Sequence, residues 1–336
     1  MKSNNHALGD ELLPPKELNE KGEARTIGIE IEYVGLTPDE SSQFLQQLYS
    51  GTVERINDCE YRLNNSTLGQ FKIEVDARLL KQLAAKSEEN IQNNALNIER
   101  FLKSAVSTAF KDIIPVEIAT PPVAIRKLEM LNPIVEQLRQ LGAKDTHASK
   151  LAAFGVHLNP ETPSLSSECL LSYIQSYSLL SDWLRNDIEV DISRVASTFI
   201  NDYPSKYSQL ILNEDYHPDM KGLMRDYLIY NSTRNRALDM LPLFALIDEK
   251  TVNNHVNSSL VKARPTFHYR LANSSLSKPD WDFTTEWKRW LHVEKLASND
   301  ALRLKMIKDF NHLNTTQWFF TTSAWIKQAD EYLKQL

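Results

Sequence analysis

With 336 residues, 42% of them hydrophobic, the chain has ample apolar material for a large core, and its length admits one large domain or two. A net charge of −6 without an extended basic block argues against nucleic acid as a main partner. No run approaches the roughly 18 apolar residues of a membrane span, and two cysteines, Cys59 and Cys169, make neither a disulfide framework nor a Cys-type zinc site. A reducing cytoplasm is the expected setting.

Taken in order, residues 1–24 lack the apolar segment of a signal peptide and read as a polar, partly disordered arm. Residues 27–33, IGIEIEY, alternate as a half-buried strand, with Ile27, Ile29, Ile31 and Tyr33 on one face and Glu30 and Glu32 on the other. Thr37, Pro38 and Glu40 then spell a capping box for a helix over residues 38–50. Residues 52–63 read as a short strand and a loop. The next strand, 71–77, sets Phe71, Ile73 and Val75 against Lys72, Glu74 and Asp76. Residues 79–110 have helical spacing, and the polar stretch 86–94 divides them. The strand 115–120 carries Glu117 opposite Val116 and Ile118, and a helix over 125–141 stops at Gly142.

Residues 153–161, AFGVHLNPE, return to alternation, with Val156 and Leu158 facing a core and His157 and Asn159 facing away. The chain then turns helical: 167–188, an irregular stretch at 191–202, and 219–230. Residues 231–244, NSTRNRALDMLPLF, crowd Arg234, Arg236 and Asp239 together. The two arginines either clamp phosphate or form a surface ion-pair network with Asp239. A last strand, 266–271, opposes Phe267, Tyr269 and Leu271 to His268 and Arg270, and Arg264 precedes it. Residues 281–336 read as closing helices anchored by Trp287, Trp290 and Leu291. Residues 25–336 form one α+β domain in this reading, with a helical lobe at about 163–260.

The polar faces are unusual in content. Five alternating strands carry Glu30, Glu32, Glu74, Asp76, Glu117, His157, Asn159, His268 and Arg270 where lysine, threonine and serine are ordinary. In one sheet these make a bed of carboxylates, which repel one another and call for cations. Nine glycines, none in a GxGxxG or GxxxxGK[ST] motif, mean that any nucleotide is held without a Rossmann or Walker loop. Carboxylates with Mg²⁺ are one way to do that.

The blocks GIEIEY, FKIEVDA, VEIATPP, AFGVHLNPE, TRNRALDMLPLF and RPTFHYRLAN together resemble the amidoligase family, within the glutamine synthetase and glutamate–cysteine ligase superfamily, from about Arg25 to Trp290. The resemblance implies a curved antiparallel sheet whose concave face holds ATP and two or three Mg²⁺ ions. It implies Glu30, Glu32, Glu74 and Glu117 as metal ligands and Arg270 as a phosphate contact. His157 and Asn159 match its histidine-bearing strand. One position departs: where glutamine synthetase has a metal-binding glutamate on the final strand, this chain has His268. Donor and acceptor pockets do not carry over. Some relatives complete sites with a neighbouring subunit, so an oligomer is compatible with the resemblance.

The expected reaction is ATP-dependent ligation of a small-molecule or peptide carboxylate to an amine, through an acyl phosphate. Arg236, Arg270 and His157 are the expected catalytic side chains. Arg264, Arg234, His268, Asn159 and Lys72 are expected to bind ATP or substrate. Asp76 either serves as a base for the amine or pairs with Lys72 or Arg78. A metal-dependent hydrolase, turning over without ATP, and a non-catalytic binding protein on the same scaffold are the alternatives.

Overall fold

A computed structural model describes residues 7–75, 111, 112, 114–145, 154–190, 200–256, 261–316 and 322–336. The helix expected over 79–110, Asp76 and residues 191–199 lie outside the described residues.

Alternation becomes strand at each place where it was read. The strands β1 (Thr26–Tyr33), β2 (Thr52–Arg55), β3 (Glu60–Asn64), β4 (Phe71–Val75), β5 (Val116–Ala119), β6 (Val123–Ala124), β7 (Val156–Pro160), β8 (Leu238–Asp239) and β9 (His268–Tyr269) form one sheet. Their order is β2–β3–β4–β5–β1–β7–β9–β8, with β6 on β1. Every pairing is antiparallel. The fold is therefore a mixed α and β one around a large open antiparallel sheet.

Three elements differ from expectation. Residues 52–63 make two paired strands, with Arg55 opposite Tyr61 across a turn in which the Asn57 side chain accepts from the Cys59 N–H (2.7 Å). The helix expected over 125–141 is split into a 3₁₀ segment, Ile125–Leu131, and α2, Asn132–Gln140. Pro133 has no N–H to give, so the α-helical ladder starts afresh around it. Gly142 ends α2 at φ +82°, a conformation that favours glycine. The last strand shrinks to β9; Pro265, just before it, has no N–H for a ladder, and the Phe267 N–H reaches the Pro160 carbonyl (2.9 Å).

One sheet face is covered. Ile27, Ile29, Ile31 and Tyr33 are fully buried, as are Ile73, Ile118, Val156 and Leu158 in register with them. Helix α1 (Pro38–Tyr49) starts at the expected capping box, the Thr37 N–H donating to Glu40 (2.8 Å) and the Glu40 N–H to Thr37 Oγ1 (3.2 Å), and lies on β3 and β4. On the other half, α3 (Ser167–Ile188) packs against the helix Phe283–Ala297. Tyr173 stacks on Phe267 at 4.5 Å, and Trp290 lies 5.1 Å from Tyr269, ring centre to ring centre. Between them run α4 (Ser205–Ile211), α5 (Met220–Tyr230) and α6 (Leu241–Asn253). The helix Phe283–Ala297 is thus α7, followed by α8 (Asp300–Thr316) and α9 (Thr322–Leu333).

A buried ion pair ties this layer to the sheet. Arg25, just before β1, meets Glu294 of α7 in a two-point contact (2.7 and 3.0 Å), with both side chains wholly inaccessible. Tyr173 also donates to Glu294, and so does the Trp290 indole (2.9 Å). Arg25 Nε reaches the Glu161 carbonyl (2.7 Å) just past β7. Four separate stretches of chain meet at one satisfied charge pair, the condition under which such a pair is tolerated. The described part of the N-terminal stretch joins the same layer: Leu8 and Leu13 are buried, and the Trp287 indole donates to the Leu12 carbonyl (2.7 Å).

Candidate active site

The opposite sheet face collects the polar side chains in two rows set by register. One row runs Glu60, Glu74, Glu117, Glu32, each directly opposite the next across β3, β4, β5 and β1. The second runs Lys72, Ala119, Glu30, His157 across β4, β5, β1 and β7. Directly opposed like charges destabilise a sheet unless something neutralises them. At the β3–β4 end Arg62 pairs with Glu60 (2.9 Å) and Lys72 with Glu74. Further in, the Gly155 N–H donates to Glu32 Oε2 (2.8 Å).

Glu30 is the centre of the buried half. Its Oε2 lies 2.8 Å from His157 Nδ1 and 3.6 Å from His268 Nε2, while its Oε1 accepts from Asn159 Nδ2 at 3.3 Å and lies 3.6 Å from Arg264 Nη1. The imidazoles of His157 and His268 stand edge to face at 5.2 Å. His157 Nε2 faces Glu32 Oε1 at 3.9 Å. Burial pushes Glu30 up, but the hydrogen bond to His157 and the charge interactions with His268 and His157 outweigh it and hold the carboxyl well below the usual carboxylate range. His157 is pushed down to about 3 by burial first, against the raising effect of Glu30, with Arg270 adding to the fall. Glu30 Oε2 and His157 Nδ1 thus stand at hydrogen-bond distance, a contact that an Nδ1–H fills or that a cation replaces by taking the Nδ1 lone pair.

Other expected site residues are placed less centrally. Arg270, the residue after β9, is buried and donates to the Arg234 carbonyl (2.7 Å). Arg236 donates to the carbonyls of Asp202 (2.7 Å) and Tyr230 (3.1 Å), which makes it a brace for the turn at 231–236. The sequence sets Asp239 close to Arg234 and Arg236. Strand pairing instead puts it opposite His268, with Oδ2 3.6 Å from His268 Nδ1 and Oδ1 accepting from the Leu241 N–H (2.9 Å).

Two residues on this face escaped the sequence reading. Glu60 extends the carboxylate row, and the alternation of EYRLN over 60–64 was the signal for it. Asp239 lies on a strand of two residues, too short for any periodicity to mark its face.

Over residues 23–292 the chain matches the model of the family described as putative amidoligase enzyme. The chain belongs to the amidoligase family. No curated protein and no solved structure matches it. All the polar-face residues above lie within the matched span of this amidoligase. Among the described residues, no helix is long and apolar enough to cross a membrane.

Donor chemistry differs across the face. The row Glu74, Glu117, Glu32 offers oxygen alone, the chemistry that Mg²⁺ prefers. Glu30, His157 and His268 bring one ligand atom each to within 4.8 Å of one another, a mixed nitrogen and oxygen set.

Proposed function

We propose that this amidoligase is an ATP-dependent carboxylate–amine ligase whose active site is the polar face of a glutamine synthetase-type sheet. The observation that supports it most is the in-register row of glutamates ending at Glu32, beside the row that carries Glu30 and His157, in a chain of this family. A face built this way binds an anionic polyphosphate only through cations.

The reaction joins two anions before it joins an amine. A carboxylate oxygen of the first substrate attacks the γ-phosphorus of ATP, the bond from that phosphorus to the β-bridging oxygen breaks, and ADP departs. The amine nitrogen then attacks the acyl carbon, the carbon–oxygen bond to phosphate breaks, and inorganic phosphate leaves. The amine loses a proton to form the amide. Glu32, Glu74 and Glu117 would hold Mg²⁺, which would supply charge neutralisation at the phosphates. Arg264, half-exposed beside Glu30, would donate to phosphate oxygens, and its Nε makes no hydrogen bond within the protein. Arg270 adds buried positive charge beside His157. Asn159 orients Glu30 through its amide N–H. Substrates are a small-molecule or peptide carboxylate and an amine, and the free thiols of Cys59 and Cys169 suit a cytoplasmic setting.

Calorimetric titration of ATP with and without Mg²⁺, followed by ADP release against panels of amines and carboxylates, tests the reading. Mg²⁺-dependent ATP binding with amine-stimulated ADP release is the expected result. Turnover that does not need ATP would replace the ligase with a hydrolase on the same face.

A further inference from the structure

The buried half of the polar face does not suit the ion that the carboxylate row suits. Mg²⁺ demands a near-octahedral shell of oxygen and gives up water reluctantly. Imidazole nitrogen instead suits first-row transition ions, and two histidines with one carboxylate are a recurrent donor set for them. Here the two ring nitrogens outnumber the one carboxylate.

Geometry narrows this further. Ligand atoms held about 2.0–2.2 Å from one ion stand roughly 3–3.5 Å apart. Glu30 Oε2 lies 2.8 Å from His157 Nδ1 and 3.6 Å from His268 Nε2, on either side of that spacing. His268 is almost fully buried, its Nε2 makes no hydrogen bond, and that atom points at Glu30. A buried nitrogen without a partner costs stability, and a bound cation removes that cost. Behind His268 stands Asp239, itself 1% exposed, with Oδ2 unbonded and 3.6 Å from Nδ1. Its Oδ1 is fixed by the Leu241 N–H. A carboxylate behind an imidazole sets which nitrogen carries the proton and so turns the other lone pair forward.

We propose that Glu30, His157 and His268 form a site for a first-row transition dication such as Fe²⁺, Co²⁺ or Zn²⁺ in preference to Mg²⁺, with Asp239 as the residue that positions His268. The protein thus holds two kinds of metal on one face, an oxygen-bound ion on the carboxylate row and a nitrogen-bound one beside it. The inference rests on the ligase reading for the site's part in turnover and is independent of it for binding.

Co²⁺ is the probe, because its visible absorption reports its ligands without any assay of activity. The full chain, stripped with chelator, is titrated with Co²⁺ and then challenged with a large excess of Mg²⁺. Expected are visible d–d bands that the excess leaves in place. His268→Glu, which exchanges nitrogen for oxygen, weakens Co²⁺ binding by at least on the order of 10-fold and changes the bands. Asp239→Asn weakens it by on the order of 10–100-fold, as loss of an outer partner does. Displacement of Co²⁺ by Mg²⁺ overturns the inference. So do Co²⁺ affinity and bands that stay unchanged in both variants, each shown by circular dichroism to be folded. ADP release measured alongside separates the two readings. Release with Mg²⁺ alone and no Co²⁺ site leaves the ligase and removes this site. A His268-dependent Co²⁺ site without ADP release does the reverse.

Discussion

Both faces of the sheet bury glutamates, and the outcomes are opposite. On the covered side, Glu294 is locked in a two-point contact with Arg25, and burial raises Glu286 above the usual carboxylate range although Arg289 and Trp281 pull it down. On the polar side, Glu30 keeps 16% of its side chain exposed and its partial burial also pushes it up, yet His157 and His268 hold it below that range. Burial alone therefore does not decide whether a glutamate is structural. What differs is the partner: guanidinium and indole donors enclose Glu294, whereas imidazoles, which can also ligate metal, flank Glu30.

The largest test of this contrast removes the covered-side pair. Glu294→Ala leaves Arg25 charged and buried without its partner, and should cost about 3–5 kcal/mol. Urea unfolding measures it, and a loss under 1 kcal/mol would mean the pair behaves like a surface one. Next comes Glu30→Ala, expected to cut ADP release by more than about 100-fold, the upper range even for an outer metal partner. Its melting temperature should stay close to that of the parent chain. A collapse of the fold with nucleotide binding intact would place Glu30 with Glu294 instead.

Smaller effects grade the carboxylate row. Glu117→Gln, at the buried middle, should slow ADP release by roughly 10-fold. Glu60→Gln should change it by less than about 3-fold, since Glu60 is already paired with Arg62 at the edge and exposed pairs contribute little. Equal losses at both would show the whole row taking part in catalysis.

The smallest effect concerns pH. Glu286 has a folded pKa raised by burial, so the folded protein holds that proton more tightly than the unfolded chain. Its contribution to stability is complete below the unfolded value of about 4.3 and is lost as pH rises through the folded value. Glu286→Gln should flatten that segment of the stability–pH curve. An unchanged slope would show that Arg289 keeps Glu286 ionised throughout.

Which residues of this design could be read beforehand follows from range. Strand faces were legible because side chains alternate with a period of two, a property of neighbours along the chain. IGIEIEY puts Glu30 and Glu32 on one face by itself, and VHLNP does the same for His157 and Asn159. The capping box at Thr37 and the glycine stop at Gly142 were equally local. The place of Arg236 was not, since its terminal nitrogens meet the carbonyls of Asp202 and Tyr230 only after the 231–236 turn has folded back.

The order of alternating residues determined by itself that this chain would make a half-buried antiparallel sheet with an acidic face, because the pleat needs no distant information. Register was decided only in the tertiary structure. That Glu74 meets Glu117 and Glu117 meets Glu32, that Asp239 stands behind His268, and that Arg25 finds Glu294 at the far end of the chain all depend on pairing between segments far apart in sequence. A one-residue slip in any of those pairings would turn its side chains to the other face. What holds each in place is the fit of the covered core, to which every part of the sheet contributes.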